Sequence, residues 1–193
     1  MVLVVLAAVV VGVVVARGGG GGGGRVVYDR AAAAAYADRW ALTTNPVYWH
    51  SRTDDCANFV SQCVAAGGLR AFDGAGGAWR PAGTRFPSLG WVNCTAQQRV
   101  WSTVGGGLGS PCIVSSTTKR PHDWAVGDVV YLGNTTAGVA HWQHVIICVT
   151  RKHGRWLYDS HTVAHRHLPM TRWYPAHFSL IRYCHLADTV NYR

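Results

Sequence analysis

The sequence predicts an α+β fold, with N-terminal helices packed on a C-terminal antiparallel sheet. Two patterns carry that expectation. Between Tyr28 and Ala66 the apolar residues recur at helical spacing. Between Gly127 and Leu186 the pattern changes to short β-branched runs bounded by turn residues. Helices first and strands after form segregated layers, which is the α+β arrangement. A chain of 193 residues supports one core and is a tight fit for two.

The elements follow in order. Val2 to Ala16 is an unbroken apolar run closed by Arg17. It is shorter than the ~20 residues of a full membrane span and matches a secretory apolar segment of about 7–15 residues, although no Lys or Arg precedes it. Residues 1–16 are therefore expected to be a signal or a membrane anchor, placing the rest of the chain outside the cytoplasm, secreted or membrane-anchored. A mistaken gene start in GC-rich DNA is the third reading of this Val/Ala/Gly tract. Residues 17–25, with the run Gly18 to Gly24, read as a flexible linker, so the folded domain is expected over residues 26–193.

Tyr28 to Leu42 is alanine-rich and free of Gly and Pro, hence helical, and Asn45-Pro46 stops it. Asp54-Asp55 and Gly67-Gly68 bracket a second helix, Asp55 to Ala66, with Phe59, Val60, Cys63 and Val64 on its packing face. Asn58 and Gln62, one turn apart, read as structural. Residues 69–116 are rich in Gly, Pro and Trp and read as long loops around a helix near Trp91 to Val104, an insert of the kind that shapes a binding groove. Strands are expected at Gly127–Gly133, His144–Thr150, Arg155–Thr162 and Phe178–Leu186. Gly154 turns the chain between the second and third.

Lys plus Arg is 18 against 9 for Asp plus Glu, a net charge of +9. That balance favours anionic partners such as a cell-wall polymer or a lipid surface. The cations are scattered and no nucleic-acid motif is present, so nucleic acid is not an expected partner. The nine Trp and eight Tyr read as core and surface filling.

The chemistry centres on Cys56, in the first turn of the second helix. A helix N-terminus lowers a thiol's pKa, whereas neighbouring carboxylates raise it. A nucleophilic cysteine needs a base within reach and a group to hold that base. His144 opens the central apolar strand, and Asp159 and His161, two residues apart on the next strand, share one face. Either could reach the His144 ring across a hairpin.

The stretch from Asp54 to Gly68, with the strands at Gly127, His144 and Asp159 and the opening Tyr28–Leu42 and Asn45–Tyr48, resembles the Putative amidase domain family. That family looks like a branch of the papain-like cysteine amidases and peptidases, alongside the CHAP and NlpC-type cell-wall hydrolases. The resemblance covers Tyr28 to Pro169, with Ala57 where the family often has Thr or Ser. It implies a papain-like fold, Cys56 as nucleophile, His144 as general base and acid, and His161 as the orienting third member, with Asp159 its rival. It also implies cleavage of an amide in a peptide or a peptidoglycan stem through a thioester acyl-enzyme. The oxyanion donors would be the Cys56 N–H and an upstream side chain, Tyr48 or His50.

Two other classes remain. One is an inactive relative that holds an anionic cell-wall polymer. The other is a metal-dependent hydrolase, for which His161 to His167 offers three histidines; no CxxC or HExxH is present and that run reads as loop, so no metal or cofactor is assigned. Cys94 and Cys112 are the expected disulfide, and Cys63 and Cys148 read as core. Asn93 and Asn134 fit glycosylation acceptors, relevant only in a eukaryotic secretory route.

Overall fold

The computed structural model describes residues 24–74, 76–82, 86–102, 113–170 and 177–192. The expected signal or anchor, nearly all of the linker, and Cys112 lie outside them. The α+β class is borne out. Helices α1 (Arg30–Trp40), α2 (Cys56–Ala66), α3 (Leu89–Val92) and α4 (Cys94–Ser102) precede most of the strands. Among the described residues no helix is long and apolar enough to cross a membrane.

Six strands form the main antiparallel sheet: β4 (Ile113–Thr117), β5 (Val129–Thr136), β6 (Val139–Lys152), β7 (Arg155–Ser160), β8 (His165–Pro169) and β9 (Leu180–Leu186). Their spatial order is β4-β9-β5-β6-β7-β8. Helices α1, α2 and α4 all pack on β6. Along that strand Val145, Ile147 and Val149 join the core under the helices, while Ile146 and Cys148 join a second cluster with Trp124, Val130, Leu132 and Tyr158. Both faces of β6 are thus covered, which is why its sequence is a continuous apolar run rather than an alternating one. Each fully buried Val or Ile there contributes about 1.5–3 kcal/mol.

Several boundaries differ from the sequence expectation for local reasons. Helix α1 starts at Arg30 because the Asp29 carboxylate accepts the Ala32 N–H at 2.9 Å. The helix expected near Trp91 is two: Asn93 is extended, and its side-chain oxygen accepts the Ala96 N–H at 3.0 Å, capping α4. The strand expected to stop at Gly133 continues to Thr136 and turns through Ala137 and Gly138, both with positive φ, into β6. Residues 165–169, expected as loop, form β8 against β7.

Two further ribbons were not expected. Strands β2 (Phe72–Gly74) and β3 (Gly77–Trp79) make a hairpin within the glycine-rich insert. Strands β1 (Gly24–Val27) and β10 (Thr189–Tyr192) pair antiparallel, so Gly24 and Arg25 of the expected linker lie in a strand. Arg30 fastens that end of the molecule: it donates to Asp128 at 2.7 Å and Asp188 at 2.8 Å, and to the Leu186 carbonyl.

One irregularity bears on the site. In the β5–β6 ladder Leu132 faces His144 but Gly133 faces Trp142, which leaves Gln143 as an extra residue. Such a bulge re-aims the side chains around it. Gly133 permits it, since a Cβ there would lie 2.1 Å from the His141 carbonyl oxygen.

Candidate active site

Cys56 and Cys94 are the first residues of α2 and α4, and both are buried. Their sulfurs lie 3.4 Å apart, and the Cys56 sulfur is 3.9 Å from the Gln143 carbonyl oxygen. The Cys94 thiol hydrogen-bonds to Cys56 and holds its pKa well below the ordinary thiol value; the His144 side chain, by hydrogen bond and charge, and the Val145 backbone act in the same direction against burial. Cys94 goes the other way, pushed well up by that same Cys56 contact and by burial. The two shifts are opposed, and Cys56 is the more readily ionised sulfur of the pair. The sequence expectation that Cys56 and His144 come together is met. The Cys94 sulfur is turned inward toward α2, and the partner expected for it in a disulfide, Cys112, lies outside the described residues.

The two helix starts are held by polar groups. Buried Gln97 donates to the Ala57 carbonyl at 2.9 Å and Ser61 Oγ at 2.7 Å, and accepts from Tyr131 Oη at 2.9 Å. It ties α4 to α2 and to β5. Thr95 Oγ1 bonds both the N–H and the carbonyl of Trp142, at 3.0 and 3.3 Å, pinning α4 beside the bulge.

At the start of α2, Asp55 is a hub rather than a helix cap. Its carboxylate makes no capping bond to the helix. Oδ1 accepts from Ser51 N–H and Asn58 Nδ2, both at 2.8 Å, and Oδ2 from His161 Nδ1 at 2.7 Å. The helix amides turn instead to Thr162: its Oγ1 accepts the Asp55 and Cys56 N–H groups at 3.0 and 3.2 Å. Thr162 has a φ of 76°, in the left-handed region where a β-branched residue is strained by about 1–3 kcal/mol. The Cys56 N–H expected to serve an oxyanion is thus engaged by Thr162.

His161 does not hold His144 as expected. Its second ring nitrogen, Nε2, lies 2.8 Å from the Trp40 carbonyl oxygen, and the ring stacks on Phe59 with centroids 4.0 Å apart. Both ring nitrogens are thus engaged, one by the Asp55 carboxylate and one by the Trp40 carbonyl. Asp159 is no substitute. It is fully buried, accepts the His167 N–H at 2.6 Å through Oδ1, and leaves Oδ2 without a partner. Burial pushes its carboxyl up to about 6. The His144 ring instead lies nearly parallel to Phe178, centroids 6.3 Å apart, and its charge helps burial to lower the pKa of His165.

Tyr48 stacks on Trp91, centroids 6.1 Å apart, while His50 is exposed. The segment carrying them is tied to α2 by Asn58, which donates to the Trp49 carbonyl at 2.8 Å and accepts from Trp91 Nε1 at 2.9 Å. Gln62 accepts from Tyr36 Oη at 2.8 Å, so Asn58 and Gln62 are structural, as read. From the histidine run, His167 gathers with Asp38 and Asp159, their ligand atoms within 4.8 Å of one another. Asp38, however, is already held by Arg166 through two bonds of 2.8 and 2.9 Å.

The sequence missed Cys94, Gln97 and Thr162. Asn93 is a helix N-cap residue type, and reading it so would have placed Cys94 at a helix start, like Cys56.

The chain belongs to the family described as Putative amidase domain, which matches residues 27–181. Membership points to amide hydrolysis as the class of activity. The chain is 31% identical over 98 residues to "Uncharacterized protein YhbB" of Bacillus subtilis (strain 168), a match covering 50% of this chain and 31% of that one. It is 34% identical over 79 residues to "Uncharacterized protein YjcM" of the same organism, covering 41% of this chain and 17% of that one. The matches thus span about a third or less of these relatives. No solved structure matches the chain.

Proposed function

We propose that this protein is a cysteine-dependent amidohydrolase of papain-like arrangement, cleaving an amide in a peptide or a peptidoglycan stem. The observation that carries the reading is the Cys56 sulfur at the start of α2, where the hydrogen bond and charge of the His144 side chain act to lower its pKa. The thiolate attacks the amide carbon and His144 gives a proton to the departing amine. A thioester forms, and water activated by His144 then hydrolyses it. The developing oxyanion takes the Cys56 N–H from Thr162, with Tyr48 or His50 as the second donor. His161 is a positioning residue that acts through Asp55. Residues 1–16 would carry the domain across a membrane, and the net charge of +9 would favour an anionic cell-wall polymer nearby.

The test is hydrolysis of peptide amides and of peptidoglycan fragments by the full chain, beside labelling with a thiol-directed electrophile. Turnover and labelling that both vanish in Cys56→Ser support the reading. Turnover that survives the substitution sinks it, and turnover lost to a chelator would point to a metal hydrolase. Binding of an anionic polymer with no turnover of any amide would favour the inactive module.

A further inference from the structure

We infer that Cys56 and Cys94 form a reversible disulfide, making the pair an oxidation site with Cys56 as the attacked sulfur and Cys94 as the resolving thiol. The geometry is the first argument. The sulfurs are already 3.4 Å apart, so a bond of about 2.05 Å needs roughly 1.4 Å of approach. Each cysteine is the first residue of its helix, where a small change in the helix end moves the sulfur without disturbing the turns behind it. Gln97 and Thr95 keep the two helix starts facing each other.

The second argument is chemical asymmetry. Oxidation begins at a thiolate and is completed by a neighbouring thiol. Of the two, Cys56 is the more readily ionised and Cys94 the less, and the contact between their sulfurs holds them in that order. The other described cysteines do not compete. Cys63, Cys148 and Cys184 are fully buried, and burial raises Cys63 and pushes Cys148 up to about 12.

With hydrogen peroxide as oxidant, the Cys56 thiolate attacks one peroxide oxygen, the O–O bond breaks, and hydroxide leaves to become water on taking up a proton. Cys56 is then a sulfenic acid. The Cys94 sulfur attacks the Cys56 sulfur, the S–S bond forms, the S–O bond breaks, and the hydroxide leaves as water with the Cys94 proton. The two sulfurs lose two electrons and peroxide is reduced to two waters. A dithiol reductant reverses the bond by exchange. While the bond exists, Cys56 has no thiolate to attack an amide. That consequence rests on the amidase reading, whereas the disulfide does not.

The experiment oxidises the folded full chain with stoichiometric hydrogen peroxide, blocks remaining thiols, and maps peptides by mass without reduction. The expected result is a Cys56–Cys94 cross-linked peptide that dithiothreitol removes. In Cys94→Ser and Cys94→Ala the same treatment should instead drive Cys56 to sulfinic and sulfonic acid, which dithiothreitol does not reverse. Folding of both variants is checked by circular dichroism, and the parent map stands alone if neither folds. The inference is overturned if the parent gives no such peptide, or if Cys56 over-oxidises as fast in the parent as in the variants. If the reduced chain turns over no amide although the oxidised chain gives the cross-link, only the amidase reading fails; if the reduced chain turns over an amide and oxidation gives no cross-link, only the redox pair fails.

Discussion

Asp55 Oδ2 accepts from His161 Nδ1 at 2.7 Å, and both side chains are over nine-tenths buried. Removing one member of a buried hydrogen-bonded pair leaves the other unsatisfied, at a cost of about 1–3 kcal/mol. His161→Ala should therefore lower the melting temperature as well as turnover. His161→Asn should recover part of both, because its amide N–H can still donate to Asp55. A merely catalytic histidine would leave melting unchanged, so melting curves beside turnover decide the role.

Cys56→Ser should reduce turnover by at least about 100-fold with the fold intact, because the alkoxide is not available at neutral pH. His144→Ala should lose a comparable factor and also slow alkylation of Cys56 at neutral pH, since His144 helps hold the thiolate. Unchanged alkylation in His144→Ala would separate the two residues.

Cys94 supplies the largest single stabilisation of the Cys56 thiolate. Cys94→Ala should move the pH profile of Cys56 alkylation upward, and Cys94→Ser, which keeps a donor, should move it less. The profile is read by rates of iodoacetamide labelling at Cys56. A profile that does not move in Cys94→Ala would mean that His144 and the helix end suffice.

Asp159 bears on stability through pH. Its folded-state pKa of about 6 is raised above the ordinary carboxyl value, so the folded state holds this proton more tightly than the unfolded chain. The stabilisation is full below the unfolded pKa near ~4 and is lost as pH rises through about 6. Asp159→Asn should thus gain about 1–3 kcal/mol over the parent at pH 7 relative to pH 4. The same amide can accept the His167 N–H through its oxygen. Denaturant melts at the two pH values check this; a gain that is equal at both would remove the pKa argument.

The layered class was legible because it rests on periodicity: the β6 run and the alanine-rich helix mark themselves. Cys56 drew attention through a local signal, a thiol at a helix start; His144 was read as opening a buried strand, but β6 begins at Val139 and His144 follows the bulge within it. What escaped depends on contacts far apart in sequence. Asp159 and His161 looked equivalent by strand alternation, but β7 ends at Ser160, and His161 enters a turn that carries it to Asp55 and Trp40. Thr162 reaches the Cys56 amide from 106 residues away, and only with a φ that its residue type disfavours. Cys94 was hidden by a broken helix whose break depends on one asparagine side chain.

The β1–β10 ribbon sets Gly24 opposite Tyr192. Gly24 and Tyr192, the first and last described residues, therefore lie side by side. A unit tethered this way can be spliced into a longer polypeptide, between segments of any size, without pulling its own ends apart, or be re-threaded with joined ends and new ends cut at the exposed Ala137-Gly138 tip. The first of these would leave the two sulfurs in place, because none of the contacts that hold them passes through the ribbon.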